Sequence, residues 1–199
     1  ISFVDSTPLR VCKNQRIHIH KVFKGIAQRG KCSMGWFFGF KLHLICNEKG
    51  ELLNFMITPG DIDDRKPLEY EAFVEFIHGK LFGDKGYISK NLFQRLFVDG
   101  IQLITKLKSN MKGALMSVSD RLLLRKRAII ETVNDELKNI AQVEHSRHRC
   151  FDNFIVNLLG AIAAYCLFPK KPCVSIYKGP LIHSLHCSEF VELTLIIIC

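Results

Sequence analysis

The chain has 199 residues, 48% of them hydrophobic, and a formal net charge of +9 with an isoelectric point near 9.2. That length fits one domain, or one domain plus a tail, with enough apolar residues for a sizeable core. The basic balance suits an anionic polymer, most simply nucleic acid, or else a generic basic surface. No signal peptide and no apolar stretch long enough to span a bilayer is present, the longest run being Leu193 to Cys199, which argues against a membrane role. None of the eight cysteines forms a C-x-x-C pair, which excludes the usual zinc-knuckle spacing. They read as reduced thiols of a cytoplasmic protein. The chain opens at Ile1 inside what looks like a strand, so an upstream portion is expected.

In chain order, Ile1 to Val4 is a short apolar run ending at Asp5, with Ser6-Thr7-Pro8 as a breaker. It reads as a buried strand carrying an acid at its C-terminal end. Arg10 to Lys31 holds seven cations and no acid, has poor periodicity and is interrupted by Gly25 and Gly30, so it reads as a basic loop. Trp36 to Cys46 alternates, with Phe38, Phe40, Leu42 and Leu44 on one face, as a half-buried strand does. A turn at Glu48-Lys49-Gly50-Glu51 leads to a returning strand over Leu52 to Thr58. Asp63 or Asp64 is placed to cap a helix from about Pro67 to Ile77.

Lys80 to Gly83 is a brief strand that delivers Asp84, and Ser89 is placed to cap a helix reaching Val98. Gln102 to Lys106 is a further strand, and Lys108 to Ser119 is irregular. One long helix is expected over Asp120 to Ala141 and a last, apolar one over Asp152 to Phe168. Pro169-Lys170-Lys171-Pro172 then breaks the pattern. The order of elements predicts an α/β fold, a mixed sheet flanked by helices.

Asp5 and Asp84 each follow an apolar strand, which holds a carboxylate on a rigid element. Two such groups on neighbouring strands repel unless a cation lies between them, and magnesium takes such oxygen ligands. Glu131, between Ile129-Ile130 and Val133, supplies a third carboxylate from the long helix. Taken singly, each of these acids also fits an ordinary turn or solvated position.

Phe3-Val4-Asp5-Ser6, Phe82-Gly83-Asp84-Lys85-Gly86-Tyr87 and Arg127-x3-Glu131-x6-Lys138 together resemble the three catalytic blocks of bacterial DDE transposases. The overall pattern is most similar to the IS982 family of insertion-sequence transposases. Gly39-Phe40-Lys41-Leu42-His43 and Thr58-Pro59-Gly60-x3-Asp64 look like its intermediate segments, and the resemblance spans about residues 1–168. It implies a ribonuclease H-like catalytic domain over 1–168, followed by a tail over 169–199. It also implies Asp5, Asp84 and Glu131 as catalytic ligands of two magnesium ions, with manganese as a substitute. The reaction would be hydrolysis of a DNA strand at the element's end, then attack of the freed 3′ hydroxyl on target DNA. The partners implied are the element ends, the target DNA and further copies of the chain. Arg127 and Lys138 fit phosphate contacts, and Lys85, Lys41, Arg10, Lys13 and Arg16 extend that DNA-binding set. Two other readings stand beside it: a ribonuclease H-like nuclease without strand transfer, and a non-catalytic DNA-binding remnant.

Other polar groups read more plainly. Asp61, Asp63 and Asp64 suit a turn and a helix cap better than extra metal ligands, and Trp36 with Phe37, Phe38 and Phe40 suits core better than a base-stacking platform. His145, Arg147, His148 and Arg149 are either a phosphate contact or a solvated turn. The tail is expected to lie outside the core; the competing expectation is that Leu193–Ile198 adds an edge strand.

Overall fold

The structure, a computed structural model, describes residues 1–106, 116–144 and 148–174, and the backbone of 196–197. The Leu193–Ile198 run is therefore described only in part, and most of the Lys108–Ser119 segment, His145 and Arg147 lie outside the described residues. The strands are β1 (Ser2–Cys12), β2 (Gln28–Cys32), β3 (Gly35–Asn47), β4 (Leu52–Pro59), β5 (Gly79–Gly83), β6 (Ile101–Thr105) and β7 (Ile196–Ile197). They form one mixed sheet in the order β6-β5-β1-β3-β4-β7, with β2 paired to the start of β3. The helices are α1 (Glu71–Val74), α2 (Lys90–Val98), α3 (Val118–Arg125), α4 (Ala128–Asn139) and α5 (Phe151–Cys166). No helix among the described residues is long and apolar enough to cross a membrane.

The two faces of the sheet bury separate cores. On one face Phe3, Leu42, Leu44, Phe55 and Phe82 pack under Ile130, Val133 and Leu137 of α4 and Leu158 and Tyr165 of α5. On the other, Val4, Ile45, Met56 and Leu81 pack under Phe73, Leu92 and Leu96 from the α1 and α2 side. Strand β3 is thus covered on both faces, and Leu42, His43, Leu44, Ile45 and Cys46 are all fully buried. The half-buried strand expected from alternation is corrected: the central strand of a two-sided sheet reads as a near-continuous apolar run.

Several local expectations hold for identifiable reasons. The hairpin turns at Gly50, whose φ of +70° suits glycine. Ser89 caps α2, its Oγ accepting from Leu92 N at 3.4 Å.

Four others are corrected. β1 does not end at Asp5 but runs through Pro8 to Cys12, because β3 offers it a partner along its whole length. The segment from Arg10 to Lys31 is not one loop: it completes β1, forms a 3-10 turn over Asn14–Ile19 and enters β2. The long helix divides at Lys126-Arg127. Leu124 is buried, but Ala128, one turn on, is exposed, and burial resumes at Ile129 and Ile130, so the break re-phases the apolar stripe onto the sheet. Pro67 to Ile77 is likewise a 3-10 turn, Lys66–Glu69, followed by the one-turn α1, with no side-chain cap on either.

The described part of the tail lies against the body. Val174 N donates to Glu48 O at 2.7 Å, and β7 pairs in parallel with β4, Ile196 opposite Met56 and Ile197 opposite Ile57. For these residues the expectation of a tail outside the sheet is corrected in favour of the edge strand.

Candidate active site

Parallel pairing of β1 with β5 sets Ser2 against Leu81 and Phe3 against Phe82. Carried two residues further, the same register puts Asp5 level with Asp84, on strands that neighbour at about 4.8 Å in a sheet. Side chains two apart share a face. The Phe3 and Phe82 rings meet at 5.7 Å, and both belong to the core beneath α4, so Asp5 and Asp84 point toward that helix. Gly83 keeps the crossing tight on the opposite face, where a Cβ would stand 3.1 Å from the Tyr87 ring.

α4 completes the arrangement. Asn134 Nδ2 donates to Asp5 Oδ2 at 3.3 Å. Glu131 sits one turn earlier, in the first turn of α4, where the partial positive charge of a helix N-terminus favours an acid. Its Oε1 accepts from Arg127 Nη2 at 2.6 Å; the arginine side chain is 15% exposed and the glutamate 55%. Desolvation pushes the Asp5 carboxyl up to about 6, against the pull of Arg127 and the Ser6 N–H, and Glu131 and Asp84 add to the rise. Glu131 from α4 and Asp84 from the end of β5 therefore both act on Asp5 of β1. Their donor chemistry, three carboxylates with hard oxygens, the charge of one disfavoured chiefly by burial and further by its acidic neighbours, fits a divalent cation. As placed, no three His, Cys, Asp or Glu side chains among the described residues stand close enough to share an ion. Glu131 is turned onto Arg127 instead.

The cations are distributed unequally. Arg10, Lys13 and Arg16 are exposed at a cavity of about 580 Å³ floored by Phe23 and Phe154. Lys85 is exposed directly beside Asp84. Lys41 is held inside, its Nζ 2.9 Å from Asp64 and 2.7 Å from Ile62 O. Lys138 does not stand free beside Glu131: its Nζ donates to Pro8 O at 3.0 Å and lies 3.5 Å from Glu144. Asp63 serves as a bracket for Arg65, accepting from its backbone N at 2.9 Å and its Nε at 2.8 Å, not as a helix cap.

Two features were missed in the sequence. Asn134 is one; a buried polar residue three positions after Glu131, between Val133 and Leu137, is the signal that marks it. The other is a polar group on the opposite face, where buried His43 shares a 2.9 Å hydrogen bond between Nε2 and Thr58 Oγ1. Burial lowers the His43 pKa to about 4, partly countered by Asp64.

The chain matches the sequence profile described as the transposase DDE domain over residues 1–151. Nothing among curated proteins matches it. Its fold is similar to that of a piggyBac transposase solved by cryo-electron microscopy as a synaptic complex with hairpin DNA, with a TM-score of 0.51 and 10% identity. That superposition covers 83% of this chain but spans only 45% of the other. The curled mixed sheet with helices on both faces is ribonuclease H-like. By its sequence profile, with the fold in agreement, the chain belongs to the family of transposase DDE domains.

Proposed function

We propose that residues 1–168 are the catalytic core of a bacterial, IS982-like insertion-sequence transposase that cleaves DNA strands and joins them to a target. Residues 169–199 are then an appendage outside the family-like region. The observation that carries this reading is the shared level of Asp5 and Asp84 on adjacent parallel strands beneath the helix bearing Glu131. In this reading those three side chains hold two magnesium ions, or manganese. When bound, the metal pair supplies Lewis-acid stabilisation of the attacking and leaving oxygens.

The chain's own residues do the rest. Asp5 and Asp84 are fixed by the sheet, and Asn134 orients the Asp5 carboxylate. Glu131 joins them by leaving Arg127, which frees that guanidinium for a phosphate. Water attacks the phosphorus, the bond to the 3′ oxygen breaks, and the 3′ hydroxyl leaves carrying a proton. That hydroxyl then attacks a target phosphorus and expels a new 3′ hydroxyl. Arg10, Lys13, Arg16 and Lys85, exposed and without ion pairs among the described residues, contact the backbone of element ends and target. Lys41 and Lys138 must give up their present partners to do so. The active form is an oligomer of this chain, working in the cytoplasm. The hairpin DNA of the piggyBac synaptic complex supports the choice of polymer.

The Arg127–Glu131 pair favours a second reading, a DNA-binding remnant in which the glutamate no longer serves as a ligand. Nicking of supercoiled DNA in magnesium separates the two. Cleavage that disappears in Asp84→Asn supports the enzyme; salt-sensitive binding with no cleavage in any divalent ion supports the remnant.

A further inference from the structure

Trp36, the chain's sole tryptophan, departs from expectation: its neighbours Phe37, Phe38 and Phe40 are buried, but it is 52% exposed. It opens β3 just after the β2–β3 turn, where Asn14 Nδ2 donates to Trp36 O at 2.8 Å and fixes the backbone. Gly30, across the hairpin, lies so close to Gly60 O that a side chain there would collide with it, so the hairpin is pressed firmly onto the end of β4. The indole is thus a large apolar plane held in water on a rigid frame.

Two cations attend that plane. Arg29 Cζ stands 5.0 Å and Lys31 Nζ 5.8 Å from the ring centroid. Neither has an ion pair among the described residues. Beside them runs a groove of about 390 Å³, lined by Arg29, Lys31, Trp36, Lys41 and three acids, that reaches Gly86, two residues beyond Asp84. Of its acids, Asp64 is matched by Lys41 and Asp63 by Arg65, leaving Asp61 alone against Arg29 and Lys31.

We propose that Trp36 is a stacking platform for an unpaired DNA base, with Arg29 and Lys31 taking the phosphates that flank it. Any base presents a π-face, and an exposed aromatic between cations is how single strands are held without sequence preference. A duplex offers no free base face except at its end, so the occupant is a single strand, laid in the groove that leads from the Asp84 loop. The inference rests on the DNA reading above and adds to it where, and in what form, the strand is held.

Because the chain has one tryptophan, its emission reports on the site directly. The full chain is titrated with a labelled oligothymidylate and with a blunt duplex of the same length, following anisotropy of the label and emission of Trp36. The expected result is quenching by the single strand but not by the duplex. Trp36→Ala should weaken single-strand binding about 5- to 100-fold, leave duplex binding unchanged, and Trp36→Phe should recover most of the loss. Single-strand binding with unchanged emission, or equal affinity of Trp36→Ala, overturns the platform. Equal quenching by duplex overturns the preference for an unpaired base. Absence of binding to either DNA removes the DNA reading itself, and the platform with it. The quenching measurement needs no variant, so it stands even if a substitution disturbs the hairpin.

Discussion

The two faces of one sheet treat buried polar groups in opposite ways. Beneath α4, Asp5 is half-buried with one side-chain donor among the described residues, Asn134, at 3.3 Å, and its carboxyl is pushed up to about 6. On the other face, His43 is wholly buried, shares a 2.9 Å hydrogen bond with Thr58, and burial keeps it neutral down to about pH 4. Asp5 keeps the tension of a charge short of partners, as groups at functional sites do. His43 avoids that tension by giving up its charge, as a structural group does. Strands β1 and β3, paired to each other, carry both, so the difference comes from what packs over each face.

The comparison is broken most sharply by activity. If the α4 face is the reactive one, Asp84→Asn loses at least about 100-fold in metal-dependent strand cleavage with an unchanged far-ultraviolet circular dichroism spectrum. Asn134→Ala, acting only by orienting Asp5, loses about 10- to 100-fold. Undiminished cleavage by Asp84→Asn would place the chemistry elsewhere.

Next in size is an acid limb from the opposite face. His43 has a folded pKa lowered to about 4 from the ordinary 6.5. Below 6.5 the unfolded chain takes up a proton that the folded chain refuses. Its contribution is therefore complete above pH 6.5 and is lost as the pH falls toward 4, up to about 3 kcal/mol in all. Urea midpoints measured across that range should show this loss, and His43→Asn should flatten it.

Asp5→Asn sharpens the same contrast with the opposite sign. Removing a charge that burial disfavours should stabilise the fold by about 1–2 kcal/mol at pH 7.5 without divalent ions. A thermal midpoint that falls instead would mean that Asp5 is as well compensated as His43. Smallest is Arg127→Ala, which should lower the slope of DNA affinity against salt by about one unit. An unchanged slope would leave Arg127 with Glu131 alone.

Much of this was legible in one dimension. The hairpin at Gly50, the Ser89 cap and the apolar last helix follow from local rules: a turn residue, a hydroxyl at a helix start, a 3.6-residue period. The three acidic blocks were visible as a resemblance, and the profile match over 1–151 agrees with it at the level of the family. The misreadings share one cause. Ser6-Thr7-Pro8 looked like a stop, yet β1 continues because β3 pairs with it as far as Cys12. Asp120 to Ala141 looked like one helix, with no glycine or proline to break it, yet Leu124 and Ile129 bury on the same body only if the helix is interrupted.

By itself, then, the sequence determined the kinds of element, their order and the acids that end or follow apolar runs, because these depend on neighbours a few residues away. Only the tertiary structure decided that Asp5 stands level with Asp84, that Asn134 reaches Asp5 from 129 positions along the chain, that Glu131 rests on Arg127, and that Trp36 faces water while its neighbours do not. Each of those depends on strand register or on which face a helix covers, and both are set by the packing of distant segments against one sheet.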